Sequence, residues 1–207
     1  MPNKSRITLL IIACALMLGL ALSQAQETTP TFRGYGVQLY SGDGWSFLYP
    51  LNATVETISE TELQVVGPEI AIRPADADFT VSGPAYQMSV MIYDNPERVF
   101  PEVWAEQQIL ADWQAAGAGS GPNPYPVTSD GQLDPEKFAA IIVANLPAAK
   151  AEFFGGDAAV FNIYFSTGDK IVVFSYRAEP ELNNPIALMQ LDIYMLMINS
   201  FTVTAEE

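Results

Sequence analysis

The chain is 207 residues long, 49% hydrophobic and 16% charged, with 9 Lys+Arg against 24 Asp+Glu, no histidine and one cysteine. That length and apolar content fit one globular domain with a substantial core, and they exclude collagenous, wholly disordered and disulfide-stapled classes. A charged share well below the usual figure of about 25% makes the net charge of -15 a shortage of bases rather than a concentrated acidic device. Nucleic acid and anionic membrane surfaces are not expected as partners, because both call for clustered positive charge.

Lys4 and Arg6 precede an apolar run from Ile7 to Leu22, and Ser23-Gln24-Ala25 supplies a small-x-small pattern, so residues 1–25 read as a signal peptide cleaved after Ala25. The run falls short of the roughly 20 residues that span a bilayer, which leaves a retained anchor as second choice. Ile11-Ile12-Ala13-Cys14 also resembles a lipobox with Cys14 as the lipidated residue, but Ala15 to Leu22 stays apolar where a mature lipoprotein turns polar. The expected product is secreted or extracytoplasmic, touching a membrane only if the N-terminal segment is retained or lipidated at Cys14. Cleavage after Ala25 would remove the one cysteine, so no disulfide would form and stability would rest on packing.

Residues 26–33 are polar and read as a tether, with a single domain over 34–204. Tyr35 to Tyr40 and Trp45 to Tyr49 are β-prone runs joined by Ser41-Gly42-Asp43-Gly44, a hairpin signal. Ala53 to Ile58, Leu63 to Val66, Glu69 to Ile72 and Met88 to Tyr93 continue as short strands of a meander. At Pro101 the period changes: Val99, Val103, Leu110 and Trp113 recur at helical spacing, Pro101 suits a first turn and Gly117 a stop, which predicts a helix to Ala116. A Gly/Pro-rich loop follows over 117–136, either a mobile binding loop or an inert insertion. Phe138 to Ala144, Ala148 to Phe154, Val160 to Phe165 and Ile171 to Arg177 then read as a second antiparallel meander. Asn183-Asn184-Pro185 caps a final helix to about Ser200, apolar nearly all round. Its residues read first as core; Met189, Met195 and Met197 are the alternative, an adaptable partner surface.

The missing histidine removes Ser-His-Asp triads, Cys-His dyads and His-based metal sites, and a cysteine-free exported chain would lack thiolate chemistry as well. No Walker A, Gly-x-Ser-x-Gly or Ser-x-x-Lys pattern occurs. Asp76 and Asp78 are the candidate ligands for a hard divalent cation, although Phe79 and Thr80 follow where a calcium loop would continue with Asp-Gly. Asp130 and Asp134 read as solvated loop carboxylates, and Glu102 and Glu106 lie one turn apart on a helix face. Tyr125 in the long loop and Met195 in the last helix are the candidate partner-surface residues.

Gly44-Trp45-Ser46-Phe47-Leu48-Tyr49-Pro50 resembles the opening strand of PsbP-like domains, a family that includes exported bacterial members. Leu146-Pro147-Ala148, the Gly168-Asp169-Lys170 hairpin and the closing Asn199-Ser200-Phe201 agree with it, over about Tyr35 to Val203. The resemblance implies an α+β fold in which an antiparallel β-sheet is flanked by helices on both faces, an α-β-α sandwich. It carries no catalytic motif, and the metal-associated histidines of some plant relatives have no counterpart here. The expectation is an exported non-enzymatic binding or accessory domain without a cofactor, meeting an extracytoplasmic protein or small ligand. The alternative is a carboxylate-based divalent-metal binder or hydrolase.

Overall fold

A computed structural model describes residues 31–32, 34–72, 80–117, 122–155, 158–178 and 185–204. In chain order the elements are β1 Thr31–Phe32, β2 Tyr35–Ser41, β3 Trp45–Pro50, β4 Thr54–Ser59, β5 Glu62–Val66, β6 Glu69–Ile72, β7 Val81–Pro84 and β8 Gln87–Asp94. Helix α1 Pro101–Ala116 follows, then β9 Phe138–Val143, β10 Leu146–Gly155, β11 Ala158–Ser166, β12 Lys170–Arg177, helix α2 Pro185–Asn199 and β13 Thr202–Val203.

The main sheet has seven strands in the order β4-β5-β8-β12-β11-β10-β9, and its described pairings are all antiparallel. The second expected meander is present as β12-β11-β10-β9, whereas of the first only β4, β5 and β8 join this sheet, because β6 pairs with β7 in a separate two-stranded sheet; β12 against β8 joins the two halves, Phe174 opposite Val90. The first hairpin stands apart from this sheet. With β1 and β13 it forms a four-stranded sheet, β1-β2-β3-β13, that brings the two ends of the fold together. Backbone pairing therefore begins inside the expected tether, since Thr31 lies opposite Gly36. The hairpin turn closes with Gly42 N–H donating to Trp45 O at 2.8 Å, and Gly44 takes φ 76, a conformation that favours glycine.

Successive residues of β12 divide between two buried clusters, as the period of two requires. Val172, Phe174 and Tyr176 join Phe47, Phe201 and the α2 residues Ile193, Tyr194 and Met197. Ile171 and Val173 join Ala105 and Ile109 of α1. In the first cluster Phe165 lies 4.4 Å from Phe201 between ring centroids, and Phe174 meets Phe47 edge-on at 5.3 Å. This aromatic knot fastens the small sheet and the chain end to the large sheet.

Helix α1 has the expected bounds, with Pro101 in its first turn and Gly117 at φ 70 as its stop. Its buried face differs from the expected one. Ala105 and Ile109 are fully buried while Val103 is exposed, because the small Ala105 side chain allows close approach to the sheet. The expected cap residues of α2, Asn183 and Asn184, lie outside the described residues. Among the described residues no helix is long and apolar enough to cross a membrane.

Asn95 is a buried polar side chain, 1% exposed. Its Nδ2 donates to Val99 O at 3.0 Å and Gly168 O at 2.9 Å, and its Oδ1 accepts from Val99 N–H at 3.1 Å. It thereby ties the start of α1 to the β11–β12 turn. Asn95→Ala leaves these main-chain groups unsatisfied and is expected to cost about 1–3 kcal/mol, measured by urea unfolding against Asp94→Ala, which removes only an exposed, solvent-screened ion pair with Lys170 and is expected to leave stability nearly unchanged.

Candidate functional site

An apolar groove of about 490 Å³ lies between α2 and the strands β9, β10 and β11. Its construction follows from the shape of α2. One side of that helix is committed to the core through Ala187, Ile193, Leu196, Met197 and Ile198. Leu188, Leu191 and Met195, spaced along the opposite side, remain 53%, 39% and 40% exposed. The sheet extends past the helix toward β9, and Ile141 and Val143 pack only partly against the first cluster. The gap between Leu191, Met195 and Ile198 on the helix and Ile141, Phe161 and Ile163 on the strands is the groove.

Polar side chains also border it. Lys150 lies opposite Ile163 and Glu152 opposite Phe161, and residues directly opposite share a sheet face, so both stand on the α2 side. Lys137, at the same end, is 3.3 Å from Asp134 and sits over the Phe154 ring at 5.1 Å. Tyr194 forms an inner wall, its Oη donating to Phe161 O at 3.3 Å and Phe174 O at 3.4 Å. Burial pushes the Tyr194 hydroxyl far up from its ordinary value, with a smaller contribution from Tyr164. It is a satisfied neutral donor and has no use as a base.

Asn162 has a buried Oδ1 without a hydrogen-bond partner among the described residues. Asn162 is among the residues that line the groove, and it lies opposite Ala151 of the α1-side cluster. Its Nδ2 donates to Tyr164 Oη at 3.3 Å. Burial raises Tyr164 from the usual 10.0 to about 12, while that hydrogen bond lowers it in part. A second depression, of about 360 Å³, is bordered by Gln87, Ser89, Ser175, Arg177 and Gln190. Gln87 there is already bonded to Gln64 at 2.7 Å and Gln190 to Ala85 O at 3.2 Å.

Met195 is at the mouth of the groove, whereas Tyr125 is half-buried on the α1 side, edge-on to Phe153 at 6.2 Å. The fold does not bring these two together. Asp76 and Asp78 lie outside the described residues. Among the described residues no group of three or more His, Cys, Asp or Glu side chains could hold a metal ion. Asp130 accepts a bond from Thr128 Oγ1, which holds its carboxyl below the ordinary value, and Asp134 accepts from Glu136 N–H at 3.0 Å. These carboxylates shape the loop: Val127 is buried beneath it and bridges to Leu133. Ile141 and Lys150, both groove residues, carried no sequence signal of a site, since only the fold places their strands beside α2.

Among solved structures, the chain is similar to the solution structure of cyanobacterial PsbP (CyanoP) from Synechocystis sp. at 13% identity and a TM-score of 0.49, over 84% of this chain and 98% of that one. It is also similar to a crystal structure from Bacteroides thetaiotaomicron at 10% identity and a TM-score of 0.48, over 82% of this chain. The match takes in 49% of that protein, so the chain spans about half its length. No family model matches the chain, and no curated protein matches it in sequence.

Tyr164 and Tyr194, both pushed up by burial, give the fold an alkaline limit. A hydroxyl held above its unfolded value contributes stability that is complete below pH 10.0 and is lost as pH rises through about 12. The unfolding midpoint is expected to fall steeply over that interval, together with tyrosinate absorbance, and Tyr194→Phe is expected to flatten the fall.

Proposed function

We propose that the chain is an exported, non-enzymatic binding or accessory domain of PsbP-like type, an α-β-α sandwich with helices on both faces of its sheet. Its ligand site in this reading is the groove between α2 and β9–β11. The observation that carries the reading is the groove itself: about 490 Å³ and mostly apolar, within the range of roughly 300–1,000 Å³ common for small-ligand sites. Leu191 and Met195 stay exposed at its mouth although Ile193, Tyr194, Leu196, Met197 and Ile198 between and beside them are buried, as expected of side chains kept for a ligand. Membership of α1 and α2 in different buried clusters supports the layering. Lys4, Arg6, the run from Ile7 to Leu22 and Ser23-Gln24-Ala25 support export.

Decanol is a suitable small apolar probe. Added to the exported chain, it is expected to raise the thermal midpoint saturably, since a ligand at 100 times its Kd adds about 2.7 kcal/mol to the native state. Met195→Glu is expected to abolish the shift, while Ile58→Glu, at another exposed apolar position on β4, preserves it. A wild-type chain with no shift, or a shift that survives Met195→Glu, contradicts the assignment.

A further inference from the structure

The two edges of the seven-stranded sheet are built differently. The β4 edge is guarded: it carries Glu56, nearly all its side chains are exposed, and its register with β5 shifts between Thr57 and Ser59. Charge and bulges are the devices that stop an edge strand from pairing with another chain. The β9 edge has neither. Phe138–Val143 reads FAAIIV, six residues without charge or proline, in unbroken register with β10 from Val143 opposite Leu146 to Phe138 opposite Ala151.

The turn beside it fixes which backbone groups are open. Ala144 and Asn145, at φ 53 and 63, form a two-residue turn, so Val143 and Leu146 are the hydrogen-bonded pair next to it. Alternation from that pair directs the N–H and C=O groups of Ala140 and Ile142 away from β10. Among the described residues no hydrogen bond reaches these groups. Ala140 is exposed, and Ile142 is 73% exposed. The edge strands of the smaller sheets run only two to four residues, too short to offer a comparable row.

We propose that the outer edge of β9 is a self-association surface, pairing antiparallel with the β9 edge of a second copy of this chain. Another open row of backbone groups on an uncharged strand is what this edge lacks, and a second copy supplies one. A uniformly apolar six-residue strand run antiparallel to itself meets an apolar residue at every position, as a two-fold interface demands. In a chain of net charge -15, copies repel one another over most of their surface. Within β9 no carboxylate would face another. The proposal does not depend on what occupies the groove.

Sedimentation of the exported chain in a concentration series reaching about 100 μM tests it. The expected result is a reversible dimer, with amide exchange at Ala140 and Ile142 slowing as concentration rises. Ile142→Lys and Ala140→Lys, both at exposed positions, are expected to weaken the dimer about tenfold or more without moving the thermal midpoint. Ile58→Lys on the guarded edge is expected to leave it intact. A wild-type chain that stays monomeric throughout overturns the proposal and leaves the edge to a strand of another protein. So does a dimer that persists in both β9 variants, or one that Ile58→Lys dissociates.

Discussion

The fold depends on β12 being buried on both faces. It is the middle strand of seven, and Ile171, Val172, Val173 and Phe174 are all fully buried. A strand can satisfy that only if something apolar covers each side, so one cluster forms around Ile171 and Val173 and another around Val172 and Phe174. Each such side chain contributes roughly 1.5–3 kcal/mol on burial. Phe174 also meets Phe47 and Phe201, at 5.3 and 5.5 Å, so the small sheet is held by the same strand. With no disulfide to share the work, this packing carries the stability.

The groove is a by-product of that arrangement. Helix α2 is anchored over the middle of the sheet by Ile193, Tyr194 and Met197, and β9 and β10 continue beyond it. A helix with a fully polar outer side would leave a shallow solvated step there. This helix instead keeps Leu188, Leu191 and Met195 on its outer side, and the step becomes an apolar groove with lysine and glutamate at its end. The uncharged β9 edge lies beside it.

Much of the fold was legible because local signals agreed with the global arrangement. Pro101 and Gly117 bracket α1 correctly, and the four runs from Phe138 to Arg177 correspond to β9 through β12. Pairs that depend on distant partners were not legible. β7 holds Gly83 and Pro84, which disguise it as a turn until β6 is found beside it, and β13 is too short to show a period. The run expected from Ala148 begins two residues earlier, at Leu146, because the turn before β10 is Ala144–Asn145. Pro147 is tolerated in the strand because its missing N–H would point away from β9, and the β11 ladder begins only at Ala148. Of the candidate site, Met195 was legible as an exposed apolar option, while Ile141, Lys150 and the open edge were not. FAAIIV reads like any buried strand until topology puts it at the margin.

The account's central claim is that the apolar groove between α2 and β9–β11 is where this domain binds. Methyl-resolved NMR of residues 26–207 titrated with decanol addresses it most directly. The account predicts saturable shifts at Ile141, Ile163, Leu191 and Met195, with Ile109, Val127 and Val173 of the other cluster unmoved. Shifts centred on that second cluster, or none that saturate, would contradict it.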